Sequence, residues 1–402
     1  MFKIKTLNAI SSKGLERFPS YFYQIAGDIQ EPDAILVRSQ AMHEMVLPGS
    51  VKVIGRAGAG VNNIPVAALT KRGIPVLNTP GANANAVREL VIAGMLLASR
   101  NICQAWNYVS QLKSSGHELE KDIEQNKKQF VGFELMGKTL GVVGLGSVGV
   151  KVANAAIHLG MNVIGYDPTI TVTRAWELSS NVQQAHSLDN LLMNADFISF
   201  HVPLTTETKH MISAARLRAM RKGVVLLNFA RDEIIDKQAL LEALNENHLH
   251  AYISDFPSAA LKDHLRVINL PHLGASTKEA EENCAIMIAK QVRDYLECGA
   301  ITYSVNFPSV EVSPCTTGAR LAIVNANVPN MVAQISAHLA KAGLNIVSLL
   351  NKSRDEIAYT LIDVSSAVGE ATLQEIAGIE GVMQCRQLHA LSTVAEPEVL
   401  VA

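Results

Sequence analysis

The segment Leu140–Asp167, LGVVGLGSVGVKVANAAIHLGMNVIGYD, constrains the fold more than any other stretch of the chain. An apolar run of β-type residues, Leu140 to Val143, feeds directly into Gly144, Gly146 and Gly149. Beyond this loop Val148, Val152, Ala156 and Leu159 recur at helical spacing, Gly160 can stop the helix, and a second apolar run, Met161 to Tyr166, ends at Asp167. Strand, glycine loop, helix and strand form a βαβ unit, and strands joined this way need a parallel sheet covered by helices. The glycines have a physical reading. Gly144 permits a tight turn, Gly146 lets backbone amides approach a pyrophosphate, and Gly149 allows close helix–strand packing, while the helix N-terminus supplies donors and positive dipole. Asp167, eighteen residues past Gly149, can accept hydrogen bonds from ribose hydroxyls and would repel a 2′-phosphate, which favours NAD over NADP. The plain alternative for Asp167 is an Asp-Pro turn with Pro168.

A chain of 402 residues is too long for one ordinary domain, and an apolar content of 48% can fill two or three cores. Lys and Arg total 35 against 37 Asp and Glu, with no basic run, so neither a nucleic acid nor another polyanion is an expected partner. The N-terminus, MFKIKTLNAISSKG, lacks the apolar centre of a signal peptide. The longest strongly apolar run, Leu90–Ala98, is about half of what a bilayer requires and reads as a buried helix. Cys103, Cys284, Cys298, Cys315 and Cys385 are scattered without a C-x-x-C pair, which suggests neither a disulfide framework nor a metal site. A cytoplasmic, metal-free protein off the membrane is expected.

Before the glycine loop, strands are expected at 33–39, 51–58 and 74–80 with a helix near Val66–Arg72, an α/β pattern with no dinucleotide loop of its own. After Asp167 strands follow at 196–203, 223–230, 250–257 and 266–273, separated by helices such as Lys237–Asn245. The charged stretch 113–129 reads as a solvated helix or loop. Thr277–Glu297 predicts a long helix, and NFPSVEVSP at 306–314 an extended linker, because prolines disfavour helix. The final unit places strands at Arg320–Val328, 345–352, 357–364 and 382–388. Met331, Val332, Ile335 and Leu339 mark one helix face, and a second helix lies near Leu373. The order βαββαβ is ferredoxin-like.

Ligands of an open α/β sheet sit beyond the carboxyl ends of its strands. Arg231 follows VLLNFA, Asp255 follows AYIS, and His272 follows RVINLP and precedes Gly274, Ala275 and Ser276. A planar guanidinium can hold a carboxylate and polarise an adjacent oxygen, and an imidazole can take a hydroxyl proton as hydride leaves carbon. With a nicotinamide cofactor these groups describe an alcohol-oxidising site. The plain alternatives are a surface pair of Arg231 with Asp236, a turn at Asp255 before Pro257, and a simple loop histidine. His201, which also ends an apolar strand, ranks second as proton acceptor.

The motifs LGVVGLGSVG with YD at 166–167, HVPLTTET at 201–208, LLNFAR at 226–231, SDF at 254–256 and PHLGAST at 271–277 resemble the D-isomer-specific 2-hydroxyacid dehydrogenases. The likeness covers nearly the whole chain, and within that family it points to the phosphoglycerate-oxidising enzymes with a C-terminal ACT domain. It implies an α/β protein with a Rossmann-type NAD domain (99–277) inserted in a flavodoxin-like substrate domain (1–98 and 278–306). A linker (307–317), the ACT domain (318–392) and a tail (393–402) would follow. The activity implied is NAD-dependent oxidation of D-3-phosphoglycerate to 3-phosphohydroxypyruvate, the entry step of serine synthesis, in a homodimer or homotetramer. Arg231 would bind the carboxylate and carbonyl oxygen and His272 would be the acid/base. Asp255 would contact the nicotinamide end, Ser147, Val148 and Asp167 the rest of the cofactor, with His201, Phe229, Ala230, Gly274 and Ala275 lining its site. Arg38, Ser39 and Asn83, helped by the amides of Gly58, Ala59 and Gly60, would hold phosphate and carboxylate; otherwise Arg38 is a solvated residue at a strand end. Two alternatives stay open: a glyoxylate or hydroxypyruvate reductase, and a NAD-sensing regulatory protein on the same fold.

Departures from the family pattern accompany the likeness. The glutamate expected twenty-nine residues after the arginine, to pair with the histidine, is Ala260 here, and the shortened loop leaves Asp263 as the nearby acid. The family's Arg-Gly is Arg231-Asp232, which adds negative charge beside the anion site. In the ACT-like unit the effector, usually L-serine, is expected between paired domains near Asn327 and Asn345. There Asn325 stands for the usual histidine and Asn330 for the usual glycine.

Overall fold

The computed structural model describes residues 1–315 and 318–389, which fall into two compact units: Met1–Ala82 with the described residues from Glu281 onward, and Asn83–Ala280. The tail at 393–402 and the end of the ACT-like unit at 390–392 lie outside the described residues.

In the first unit, β1 (Phe2–Leu7), β2 (Tyr23–Ala26), β3 (Ala34–Val37), β4 (Val53–Arg56) and β5 (Val76–Leu77) form a parallel sheet in the order β2-β1-β3-β4-β5. The strands expected at 33–39, 51–58 and 74–80 are present and shorter. The interior strand β1 was not expected, because Lys3 and Lys5 interrupt its apolar residues; Ile4 and Leu7 nonetheless enter the core. Helix Lys278–Cys298 closes over this sheet, with Ile288, Val292, Tyr295 and Leu296 packed among Ile4, Leu36, Val53 and Leu77.

The same unit holds the βαββαβ motif: β13 (Ala319–Ala326), β14 (Ile346–Arg354), β15 (Ile357–Val364) and β16 (Val382–His389), antiparallel in the order β14-β15-β13-β16. Strand β13 is apolar on both pleat faces, and the two-residue period sends them opposite ways. Leu321 and Ile323 pack with Ile335 and Leu339 of helix Met331–Lys341. Ala322 and Val324 share a core with Tyr295, Leu296, Phe307 and Val310.

The segment expected to be a linker is therefore partly interior. Its prolines do exclude helix, but Phe307 is 1% and Val310 0% exposed, and Val310 pairs with Ile301. Three side chains of the antiparallel sheet then satisfy carbonyls at and beyond the C-terminus of the long helix. Arg386 donates to Tyr295 and Leu296 and stacks 4.1 Å over the Tyr295 ring, Arg320 donates to Cys298, and the Tyr359 hydroxyl donates to Gly299. The Leu296 and Cys298 carbonyls are among the acceptors a helix end leaves open, whereas Tyr295 also accepts the Gly299 amide at 3.0 Å.

The second unit is a seven-stranded parallel sheet, β12-β11-β10-β9-β6-β7-β8, with β6 (Thr139–Val143), β7 (Asn162–Tyr166), β8 (Gln183–Gln184), β9 (Phe197–Phe200), β10 (Val224–Asn228), β11 (Leu249–Ser254) and β12 (Val267–Asn269). Helix Ala84–Ser99, which contains the apolar run Leu90–Ala98, sets Val91, Met95 and Ala98 among Leu227, Phe229 and Ile253. It thus belongs with this sheet, which is why the unit begins at Asn83 and not at residue 99. Helix Ser147–His158 packs against both that helix and the sheet, so it buries Val150 and Ala153 as well as Val152 and Ala156, while Leu159 ends up exposed. The charged stretch forms helix Gly116–Asn126, with no buried residue.

Candidate active site

Because every pairing in the seven-stranded sheet is parallel, its strands end on one edge. That edge collects Gly144–Gly149 after β6, Asp167 after β7, His201 after β9, Phe229–Arg231 after β10, Asp255 after β11 and Pro271–Ala275 after β12. The chain winds outward from β6 through β7 to β8 and then returns to β9 on the other side of β6. This reversal is the switch point at which such sheets bind ligands.

The glycine loop fits a dinucleotide. Gly144 has φ +89°, and a Cβ there would lie 2.6 Å from the His201 carbonyl oxygen; a Cβ on Gly149 would lie 1.9 Å from that of Gly144. Nothing stands within 4 Å of where a Cβ on Gly146 would project, so the N-cap of helix Ser147–His158 is open to a phosphate. Ser147 and Val148 open that helix. Asp167 does more than end a strand: Oδ2 accepts the Leu145 amide at 2.8 Å and Oδ1 the Thr169 amide at 2.8 Å. The Asp-Pro turn and the loop brace are thus one structure. The carboxylate's remaining lone pairs are available for ribose hydroxyls.

Arg231 is exposed, and among the described residues its guanidinium has no carboxylate partner; Nη1 donates to the Ala230 carbonyl. Asp236, its plain alternative partner, instead caps helix Lys237–Asn245 through the Ala239 amide. Asp232 is paired with Lys237, which offsets the negative charge that the Arg-Asp sequence adds. Phe229 and Ala230 are buried beside the edge.

His272 is exposed on a left-handed backbone, φ +57°. Asp255, 1% exposed, holds the residues after it: Oδ1 accepts the Leu273 amide at 2.9 Å and Oδ2 the Gly274 amide at 2.7 Å. The residue expected at the nicotinamide end is therefore also the brace of the histidine loop. Gly274 is buried and Ala275 half-buried. The His272 ring meets Phe256 edge-on at 5.2 Å, and among the described residues no carboxylate bonds to it. Asp263, the acid left nearby in sequence, is 84% exposed beside Lys262.

His201 is unsuited to proton transfer. Its Nε2 lies 2.9 Å from Ser199 Oγ, and burial pushes the ring down to about 3, so it stays neutral. The unfolded chain takes up this proton near ~6.5 and the folded chain resists it. Its contribution is complete above ~6.5 and drains away as pH falls toward 3. His201→Gln should remove on the order of 2 kcal/mol from the loss of stability between pH 7 and 4.5. Urea melts at the two pH values test this; an equally steep loss in the variant would assign the acid limb to other groups.

In the first unit the parallel sheet gathers Arg38 and Ser39 after β3, Gly58–Gly60 after β4 and Asn78 after β5. Arg56 and Asn63 donate to the Arg38 carbonyl, and Asn8 Oδ1 accepts the Ser39 and Gln40 amides. Asn78 donates to the Ala59 carbonyl, and the Arg56 guanidinium lies against Gly58, where a Cβ would be 2.0 Å from Nη1. Arg38 Nη2 is 2.7 Å from Glu281 Oε1. Asn8, Arg56 and Glu281 escape a reading of the sequence. The first two carry the same signal as Arg38, a polar residue at a strand's carboxyl end. Asn83, in the second unit, opens helix Ala84–Ser99 without capping it by its side chain.

In the antiparallel unit Asn325, Asn327, Asn330, Met331, Asn351 and Ala358 line a cleft of about 430 Å³. Asn325 is buried, donating to Ala326 and accepting from Thr360. Asn345 lies outside this lining and is exposed. Asn330 takes φ +71°, a conformation where glycine is at ease and asparagine is tolerated, which accounts for the exchange. Among the described residues no helix is long and apolar enough to cross a membrane, and no cluster of three metal-ligating side chains occurs.

Residues 92–274 match the model of the D-isomer specific 2-hydroxyacid dehydrogenase NAD binding domain. The chain is 40% identical over 291 residues to D-3-phosphoglycerate dehydrogenase of Methanocaldococcus jannaschii, covering 70% of this chain and 53% of that protein. Against the Escherichia coli enzyme of the same name it is 32% identical over 382 residues, covering 91% and 89%. It thus spans about half the length of some relatives and most of others. NAD+-bound 3-phosphoglycerate dehydrogenase of Entamoeba histolytica superposes with a TM-score of 0.60 at 28% identity, covering 76% of this chain and 98% of that one. With the glycine loop, Asp167, Arg231 and His272 in place on one sheet edge, the chain belongs to the D-isomer specific 2-hydroxyacid dehydrogenase family.

Proposed function

We propose that the chain oxidises D-3-phosphoglycerate to 3-phosphohydroxypyruvate with NAD. The observation that carries the reading is the shared sheet edge, which gathers a dinucleotide loop, an arginine with no carboxylate partner among the described residues and an exposed, braced histidine. Arg231 binds the substrate carboxylate and polarises the oxygen at C2; His272 accepts the hydroxyl proton as the C2–H bond breaks. Bound NAD supplies the hydride acceptor. Arg38, Ser39 and the Gly58–Gly60 loop take the phosphate end. A small amino acid such as L-serine would enter the asparagine-lined cleft, and β14, an edge strand with Val347 and Leu349 exposed, would pair copies of the chain into a homodimer or homotetramer in the cytoplasm.

The test is NADH oxidation with three acceptors. 3-Phosphohydroxypyruvate should exceed glyoxylate and hydroxypyruvate by at least about tenfold in kcat/KM, the worth of one charge-assisted phosphate contact. Arg38→Ala should erase most of that margin. Equal rates on all three acids would favour a general 2-hydroxyacid dehydrogenase, and NADH binding without turnover a regulatory protein.

A further inference from the structure

The first turn of helix Lys278–Cys298 carries a carboxylate that faces the anion site. Glu281 and Arg38 form an ion pair at 2.7 Å, with 44% and 35% of their side-chain surfaces exposed. Arg56 and Asn63 act on the Arg38 carbonyl and fix the strand end, whereas Glu281 acts on the guanidinium itself. The neighbouring acid, Glu282, is engaged 2.7 Å from Lys13, so the two adjacent glutamates face different cations.

We propose that Glu281 tunes the specificity of the anion site by competing with the substrate's phosphate for Arg38. This rests on Arg38 being the phosphate-holding residue. An exposed ion pair is weak enough for a dianion to displace. Once displaced, the glutamate remains beside the bound phosphate as a like charge, and two charges on the phosphate feel it twice as strongly as one. The consequence is an affinity for phosphorylated acids held below what Arg38 could supply, with a smaller penalty for unphosphorylated ones.

The experiment uses the full chain, Glu281→Gln, and the double variant Arg38→Ala/Glu281→Gln. At low ionic strength Glu281→Gln should lower KM for 3-phosphohydroxypyruvate about three- to tenfold, with kcat changed less than about twofold. KM for hydroxypyruvate should move less than about twofold, and the gain should shrink in about 0.3 M salt. An activity-free arm titrates inorganic phosphate by calorimetry: Glu281→Gln should bind it several-fold more tightly than the parent, and the double variant should lose that gain. If the parent turns over no phosphorylated acid, the proposed function fails while the phosphate titration still decides the role of Glu281. An unchanged or weaker phosphate affinity in Glu281→Gln, no measurable binding in either protein, or a gain that survives Arg38→Ala would overturn the proposal.

Discussion

Replacing His272 with glutamine should lower kcat by about two to four orders of magnitude while leaving the NADH dissociation constant within about twofold, because in the function we propose only the proton acceptor is lost. Glutamine matches the ring in reach and can hydrogen-bond, yet it cannot take a proton at neutral pH. The loop should keep its shape, since its bonds are made by backbone: the His272 amide to the Leu270 carbonyl, and the Leu273 and Gly274 amides to Asp255. NADH fluorescence and stopped-flow turnover separate the two effects. A variant retaining more than a tenth of parental kcat would move the acid/base role to another group. His201 would be a poor candidate, being neutral down to about 3.

Ending the chain at Cys315 should abolish soluble expression or lower Tm by more than about 10 °C. It would expose Tyr295, Leu296, Phe307 and Val310, now 0–1% exposed, and strand the carbonyls that Arg386, Arg320 and Tyr359 satisfy. Aromatic side chains bury about 150–250 Å² each, so at roughly 25 cal/mol per Å² the loss reaches several kcal/mol, comparable with the whole stability of a domain. Arg386→Ala is the milder version and should cost about 3 kcal/mol, from its stacking on Tyr295 and its charged hydrogen bonds. A truncated chain that is soluble and melts with the parent would show that the antiparallel sheet contributes nothing to the core beneath it.

The nucleotide-binding half was legible in the sequence because its signals are local. Glycines at fixed offsets, a helical period and an acid at the next strand end all lie within one βαβ unit, and Arg231 and His272 follow from the rule that parallel strands present their carboxyl ends together. What escaped depends on tertiary placement. Lys3 and Lys5 hid an interior strand, since lysine stems can run along apolar surface. The prolines of 306–314 showed that this segment is not helical but said nothing of whether Phe307 and Val310 are covered. Glu281 reaches Arg38 only because the long helix folds back over the first sheet.

The bonds of Asp167 bear on any attempt to change the coenzyme. The acid that we propose disfavours a 2′-phosphate is the same one whose Oδ2 accepts the Leu145 amide inside the glycine loop. Neutralising it for the sake of NADP would therefore release a turn that the pyrophosphate of either coenzyme requires. On that proposal coenzyme choice and loop geometry are tied to one side chain, so a switch would need a second substitution that pins Leu145 by other means.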